Sequence, residues 1–337
     1  MNWDVGYSSA FYGMIVNPDT WQDDERIEVV SGSISKGTTD LRQSADAVID
    51  RSFSEETYVR FYLIAHQDAE VVREPLFTGL VVSPDRDIDG RRESHKVECY
   101  SVLKPCDDIY LARGWYAPAS LSCDAIIKDL LSATPAPIEF AENTVVPELQ
   151  TAIIAEDSET NLSMVDKILT AIGWVMTIDG DGVIHIEPPD NDVVYTYDNI
   201  DNDAIEPQLV IKRDWFNAPN VYRAISDDLV AVARDDSMDS PLSTVNRGRE
   251  VWAQDNNVDL NDGQSISDYA IEALKKAQAL VTTIEYKRRY NPNIDVGNVI
   301  QLHYPEQGID GEWRSKSQNI EMSYGCQTSE EVEKYEH

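Results

Sequence analysis

The sequence predicts a mainly β chain with an α+β part: two small β-barrel-like domains and, between them, a helix-helix-hairpin module. Three observations lead there. Short apolar runs broken by Gly, Pro, Asp and Asn occupy residues 26–103 and resume after residue 207. Between Val97 and Leu131 the apolar spacing turns from strand-like to helical, with Ile126, Ile127, Leu130 and Leu131 on one stripe. Residues Leu76–Val102 and Gly297–Ser323 echo each other as glycine, apolar strand, acidic turn with Ile-Asp-Gly, and strand, which implies two β-domains of similar plan.

Residues 1–25 mix Tyr, Asn, Asp and Gly around Trp3, Phe11, Ile15 and Val16, and read as an arm or edge strand. Strand signals follow at Ile27–Val30, at Ser33–Ser35 before a Lys36-Gly37 turn, and at Tyr58–Ala65, Leu76–Val82 and His95–Leu103. They define a first barrel-like domain, 1–112. In the module, 113–190, Ser122 or Asp124 caps a helix that Pro135 and Pro137 stop. Ser163 with Asp166 gives a capping-box pattern for a second helix, ending at Gly173. Asp179-Gly180-Asp181-Gly182 then marks a hairpin. An acidic stretch, 191–206, reads as a linker. The second barrel-like domain, 207–326, carries strands at Leu209–Arg213, Asn220–Ile225, Leu229–Arg234 and Glu250–Ala253, one helix capped by Ser265, and a closing meander from Thr282 to Met322. Residues 327–337 read as a polar tail that frays.

Across the 337 residues, 61 acidic side chains face 28 basic ones, a net charge of −33. Long-range repulsion therefore opposes binding to nucleic acid phosphates or an anionic membrane; the excess reads first as a means of keeping the chain soluble, and is compatible with a surface past which DNA slides. Cys99, Cys106, Cys123 and Cys326 form no CxxC pair and read as buried thiols. No signal-peptide pattern and no long apolar run is present, which implies a soluble protein made in a cytosol, without membrane insertion.

Asp85, Asp87 and Asp89 before Gly90 match the opening of a calcium loop, the candidate metal ligands of the chain. The match then fails, because Lys96 stands where a bidentate Glu belongs and the flanks are strands, so the segment reads as an acidic β-turn. No HExxH, GxSxG or Walker A pattern occurs, and no catalytic residue or cofactor is assigned. Lys287-Arg288-Arg289, framed by Tyr286 and Tyr290, offers charge with aromatic stacking for nucleic-acid contact, but on a strand these side chains alternate faces, and in so acidic a chain they read as pairing with carboxylates across a subunit boundary. Trp115, Tyr116, Trp174 and Trp313 read as packing or interface anchors, the first two fastening the module to the first domain.

The Cys99-Tyr100-Ser101-Val102-Leu103-Lys104-Pro105 run, Arg113-Gly114-Trp115-Tyr116, and Asp124–Leu131 resemble the gp27-like baseplate hub and tail-tip proteins of bacteriophages, whose fold the late-control-D proteins share. Leu76-Phe77-Thr78-Gly79, Ile172-Gly173-Trp174 and the Gly297–Trp313 meander extend the resemblance over most of the chain. It implies a homotrimer whose paired tube domains form a pseudo-six-fold ring around a DNA channel, with no catalytic residues. It also implies a place at the virion tail tip after assembly in the host cytoplasm. Partners would be a tail tube or distal tail protein above and a spike or fibre protein below. A cell-wall-degrading tail enzyme and a calcium-dependent carbohydrate-binding adhesin are the competing classes.

Overall fold

In the computed structural model six strands form the N-terminal part: β1 (Ser8–Val16), β2 (Asp23–Gly37), β3 (Gln43–Ile49), β4 (Thr57–Gln67), β5 (Glu70–Asp89) and β6 (Arg92–Ser101). The structure describes the chain except residues 90–91, 199–204, 214, 227–228, 257, 259, 261–263, 280–281 and 336–337. The six strands pair antiparallel in the order β1-β4-β5-β6-β3-β2, and a further β1–β2 pairing closes the set into a barrel. Period-two alternation explains its interior: Val59, Phe61, Leu63 and Ala65 of β4 are all fully buried, as are Ile27, Ile34 and Cys99. The N-terminal segment, expected as an arm or edge strand, thus supplies the closing strand. Residues before it strap onto the C-terminal part, where Trp3 and Tyr7 meet edge-on and Trp3 packs against Tyr290.

The next part holds α1 (Lys104–Asp107), β7 (Tyr116–Ala117), α2 (Cys123–Leu130), β8 (Ile138–Phe140), β9 (Ile153–Ile154), α3 (Asn161–Ile172), β10 (Val175–Ile178) and β11 (Ile184–Glu187). Ile127 and Leu130 of α2 share one core with Val165, Ile168 and Leu169 of α3. The capping box of α3 is Thr160 with Ser163, one turn earlier than Ser163 with Asp166: Thr160 Oγ1 accepts from Ser163 N at 3.1 Å, and Ser163 Oγ from Thr160 N at 2.9 Å. Gly173, at φ 69°, ends the helix in the left-handed conformation.

β12 (Val193–Asp198) lies where a linker is expected, and is followed by β13 (Ile205–Arg213). An α+β insertion comes next, built from β14 (Val221–Ser226), β15 (Leu229–Arg234), α4 (Thr244–Arg247), β16 (Trp252–Asp255) and α5 (Ile266–Ala279). Its three-stranded sheet packs Tyr222, Ala224, Ala231 and Ala233 against Ala270 and Leu274 of α5. The strands expected inside the second β-domain at 220–253 therefore form a separate small sheet.

β17 (Thr282–Arg289), β18 (Val299–Tyr304), β19 (Ile309–Glu321) and β20 (Gln327–Lys334) complete the chain. β20, expected as a fraying tail, is an interior strand between β17 and β19. Its buried positions Thr328, Glu330 and Val332 alternate with half-buried ones, and only the charge of Glu330 hides that pattern in the sequence.

These last strands pair in the order β12-β18-β19-β20-β17-β13, which repeats β1-β4-β5-β6-β3-β2 of the barrel. Both sets carry a bulge at the same place, between Val81 and Ser83 against β6 and between Ser315 and Ser317 against β20. With these bulges matched, β2, β3, β4, β5 and β6 correspond in order to β13, β17, β18, β19 and β20, residue by residue around the shared bulge, while β4–β5 has a further bulge at Phe61/Tyr62 that β18–β19 lacks. The sequence echo of Leu76–Val102 with Gly297–Ser323 is therefore shifted by one strand.

One direction differs. β12 runs parallel to β18, whereas β1 runs antiparallel to β4. β12 and β13 thus point the same way, and a parallel pair needs a crossover of about a dozen residues or more. No β12–β13 pairing is present among the described residues, and among these the set is open. A bridge joins the two sets into one sheet: Ser33–Gly37 of β2 pairs antiparallel with Ser317–Glu321 of β19.

Candidate functional site

Four strands of each set share one polar face. Across the neighbours β13-β17-β20-β19-β2-β3-β6-β5 the pairing aligns Val210 with Glu285, Glu285 with Glu331, Glu331 with Ser317, Ser35 with Ser44, Asp46 with Glu98, and Glu98 with Ser83. Side chains two residues apart on a strand share a side, so Lys287, Ser329, Asn319 and Ser33 join this face. A concavity of about 330 Å³ opens beside it near Arg42 and Asp166, and one of about 450 Å³ lies on it, lined by Glu206, Glu285, Glu331, Lys287, Ser317 and Asn319. Acidic groups outnumber basic ones on the face, and Ser and Asn fill much of the rest. Such a surface offers hydrogen bonds without a row of cations to hold phosphates.

Behind the face, in the C-terminal set, sits a buried charge network. Arg288 Nε donates to Glu330 Oε2 at 2.5 Å, Tyr286 OH to the same oxygen at 2.8 Å, and Ser315 Oγ and Gln318 Nε2 to Glu330 Oε1 at 2.6 and 2.9 Å. Arg288 Nη1 reaches the Arg289 carbonyl at 3.1 Å. Both charged side chains are wholly buried. Burial pushes the Glu330 carboxyl up, but the Arg288 charge and the hydrogen bonds from Arg288, Ser315 and Gln318 outweigh it and hold the pKa below the ordinary value.

The face ends in two unpaired edges. On β13 the side away from β17 has no partner strand among the described residues, and Ile211 is 44% exposed although its cross-strand neighbour Ile284 is fully buried. On β5, β4 covers Glu70–Val81, so among the described residues the backbone of residues 83–89 pairs with β6 and with no other strand.

The residues singled out from sequence fall as follows. Asp85, Asp87 and Asp89 lie on the extended backbone of β5, not on a turn. Positions two apart in a strand are about 6.7 Å from each other, too far for a loop that wraps a cation. Among the described residues no group of three or more His, Cys, Asp or Glu side chains is placed to hold a metal ion. Arg288 pairs inside its own chain, which corrects the expectation of a partner across a subunit boundary. Arg289 Nη1 also bonds within the chain, to the Asp4 carbonyl at 2.9 Å, and fastens the N-terminal strap.

Trp174 and Trp313 are buried, in the module core and the C-terminal core respectively. Trp115 packs against the module core, while Tyr116, paired with Ile154 across β7 and β9, is 57% exposed. The hairpin turn also fastens the module to the barrel: Thr78 Oγ1 donates to Gly180 O at 2.8 Å, and Arg60 Nη2 and Trp21 Nε1 to Asp181 O at 2.8 and 2.9 Å. Sequence reasoning missed Glu330 and the β13 edge. The alternation of Thr328, Glu330 and Val332 was the signal available for the first.

This fold is one found in tail proteins, prophage ones among them. The chain superimposes on the tail protein from Neisseria meningitidis MC58 with a TM-score of 0.69 at 15% identity, covering 97% of both chains. The 43 kDa tail protein of prophage MuSo2 from Shewanella oneidensis gives 0.67 at 12% identity, over 97% of this chain and 98% of that one. Prophage tail protein gp18 from Listeria monocytogenes EGD-e gives 0.53 at 11%, over 98% and 94%. No family model and no curated protein matches the sequence. At these identities the likeness establishes the fold.

Proposed function

We propose that this chain is a structural protein of a phage tail tip or baseplate, a gp27-like hub that forms a homotrimer around the DNA channel and has no catalytic role. The observation that carries the reading is the bridge between β2 and β19. It joins two sets of one strand plan side by side, so that each contributes four strands to a single polar face. Repetition of that arrangement through three copies gives six sets around an axis, with the polar faces turned inward. The net charge of −33 then keeps DNA from sticking to the wall.

The tail-protein fold supports the same reading. A tube or distal tail protein would stack on one rim of the ring and a spike or fibre protein on the other. The site of action would be the virion tail tip, after assembly in the bacterial cytoplasm. Native mass spectrometry is expected to give three times the chain mass, and electron microscopy a ring with a central channel. A strict monomer at high concentration, with no ring under any condition, would count decisively against the hub.

A further inference from the structure

We infer that the β13 edge of one copy pairs antiparallel with residues 83–87 of β5 in a second copy, with Lys212 opposite Asp85. The inference rests on the ring reading and specifies how its copies join. Its basis is the correspondence between the two strand sets. The shared bulge sets Ser83–Asp87 of β5 against Ser317–Glu321 of β19, because Ser83 pairs with Glu98 as Ser317 pairs with Glu331. Carrying the match through β3 and β17 sets Ser33, Ile34 and Ser35 of β2 against Val210, Ile211 and Lys212 of β13: Ser33 faces Asp46 as Val210 faces Glu285.

The bridge inside the chain joins a β2-type strand to a β19-type strand, in the register Ser35 to Asn319 and Ser33 to Glu321. Two strands of those same types are left without this partner: β13, of the β2 type, and the far half of β5, of the β19 type. They lie at opposite ends of the polar face, so one copy cannot join them to each other. A second copy can, and the register of the bridge then sets Lys212 opposite Asp85, Ile211 opposite Arg86 and Val210 opposite Asp87.

Chemistry at the two edges agrees. Leu209–Arg213 carries two cations and no anion, while Ser83–Asp87 carries Asp85 and Asp87 against Arg86. Asp85 and Lys212 are both exposed, and among the described residues the ion partner of Lys212 is the side chain of Glu285 on the adjacent strand. At the corresponding place in the bridge, Asn319 Nδ2 donates to Ser35 Oγ at 3.0 Å. The junction between copies exchanges that neutral pair for an ion pair of opposite charges directly across strands, a favourable combination. Such a head-to-tail contact is heterologous and builds a closed ring when the rotation permits. The acidic text at Asp85 and Asp87 thus has a role in assembly without any metal.

Paired cysteines test the register. Directly opposed strand residues have Cα atoms about 4.5–5.5 Å apart, within disulfide reach, and all four native cysteines are buried. Asp85→Cys combined with Lys212→Cys is expected to give covalent dimers and trimers on mild oxidation. Each single variant, and the off-register pair Asp85→Cys with Gln208→Cys, is expected to give none. In a second arm, Asp85→Lys or Lys212→Asp raises the concentration needed for half-assembly about tenfold, and the two together bring it back to within about threefold of the parent. A trimer by mass that forms no cross-link, or cross-links equally in the off-register pair, overturns this junction and leaves the hub standing. A chain monomeric under all conditions overturns both.

Discussion

Where the closed N-terminal barrel buries Ala47, Ile49, Val81 and Val97, the open C-terminal set places Tyr286, Arg288, Ser315 and Glu330 at the corresponding positions. The barrel excludes water by closing on itself and fills its interior with apolar side chains. The open set carries an ion pair instead, with every Glu330 oxygen hydrogen-bonded. That pair costs desolvation free energy, so its benefit lies in specificity rather than raw stability. A one-residue slip of β20 would turn Glu330 to the polar face and bury Glu331, leaving Arg288 without a counter-charge.

The largest break in the comparison comes from removing residues 327–337. The barrel contains no strand from that stretch, whereas β17 and β19 lose their shared neighbour. The expected outcome is loss of the C-terminal set, with hydrogen-exchange protection retained in β4 and β5. Equal loss of protection in both sets would show that the barrel cannot stand without its neighbour.

Next in size is the buried pair. Arg288→Ile leaves a buried carboxylate unpaired and is expected to cost about 3–5 kcal/mol in urea unfolding. Adding Glu330→Val recreates the Ile49 and Val97 combination of the barrel and is expected to recover part of that loss. A double variant worse than the sum of the singles would break the residue correspondence. Acid probes the same contrast. Folding lowers the Glu330 pKa from an ordinary 4.5, so its contribution is present above that value and disappears as pH falls through the folded value. Below about pH 4.5 protection is expected to fall in β17 and β20 before it falls in β4.

A smaller effect concerns the module, which only the barrel carries. A Cβ on Gly180 would stand 1.9 Å from the Pro75 carbonyl oxygen, a backbone atom that cannot swing aside. Gly180→Ala is expected to cost about 1–3 kcal/mol and to speed proteolysis at the hairpin turn, with α2 and α3 still folded. An unchanged cleavage rate would place the attachment elsewhere, for instance in the Arg42–Asp166 pair that ties α3 to the barrel.

Much of this architecture was legible as text, and the failures have physical causes. The strands with large apolar residues, β4, β5 and β18, declare themselves by alternation. β3 does not, because its inward residues include Ala45 and Ala47, whose small side chains suit a crowded barrel interior but give a weak signal. β20 was hidden because its central inward residue is charged, and a buried charge is recognisable only with its partner Arg288 in view. The insertion of 215–279 looked like continuing β-domain because strand signals carry no record of which sheet they join. The Asp85-x-Asp87-x-Asp89 spacing was visible, but its unpaired backbone edge is a property of topology.

The finest test asks whether the bridge inside the chain and the junction between copies are one device. If they are, the bridge should accept the charges proposed for the junction: Asn319→Asp with Ser35→Lys would place an ion pair where the Asn319–Ser35 hydrogen bond now lies. Both residues are at least partly open to solvent, so neither charge would be stranded in a dry interior. A surface pair of this kind contributes about 0–1 kcal/mol, comparable with the single hydrogen bond it replaces. The double variant is therefore expected to unfold within about 0.5 kcal/mol of the parent, while Ser35→Lys alone, lacking its anion, is somewhat less stable. A loss above about 2 kcal/mol in the double variant would mean that the bridge needs close packing that an Asp–Lys pair cannot supply. The correspondence between Asn319–Ser35 and Asp85–Lys212 would then hold for the backbone register but not for the side chains.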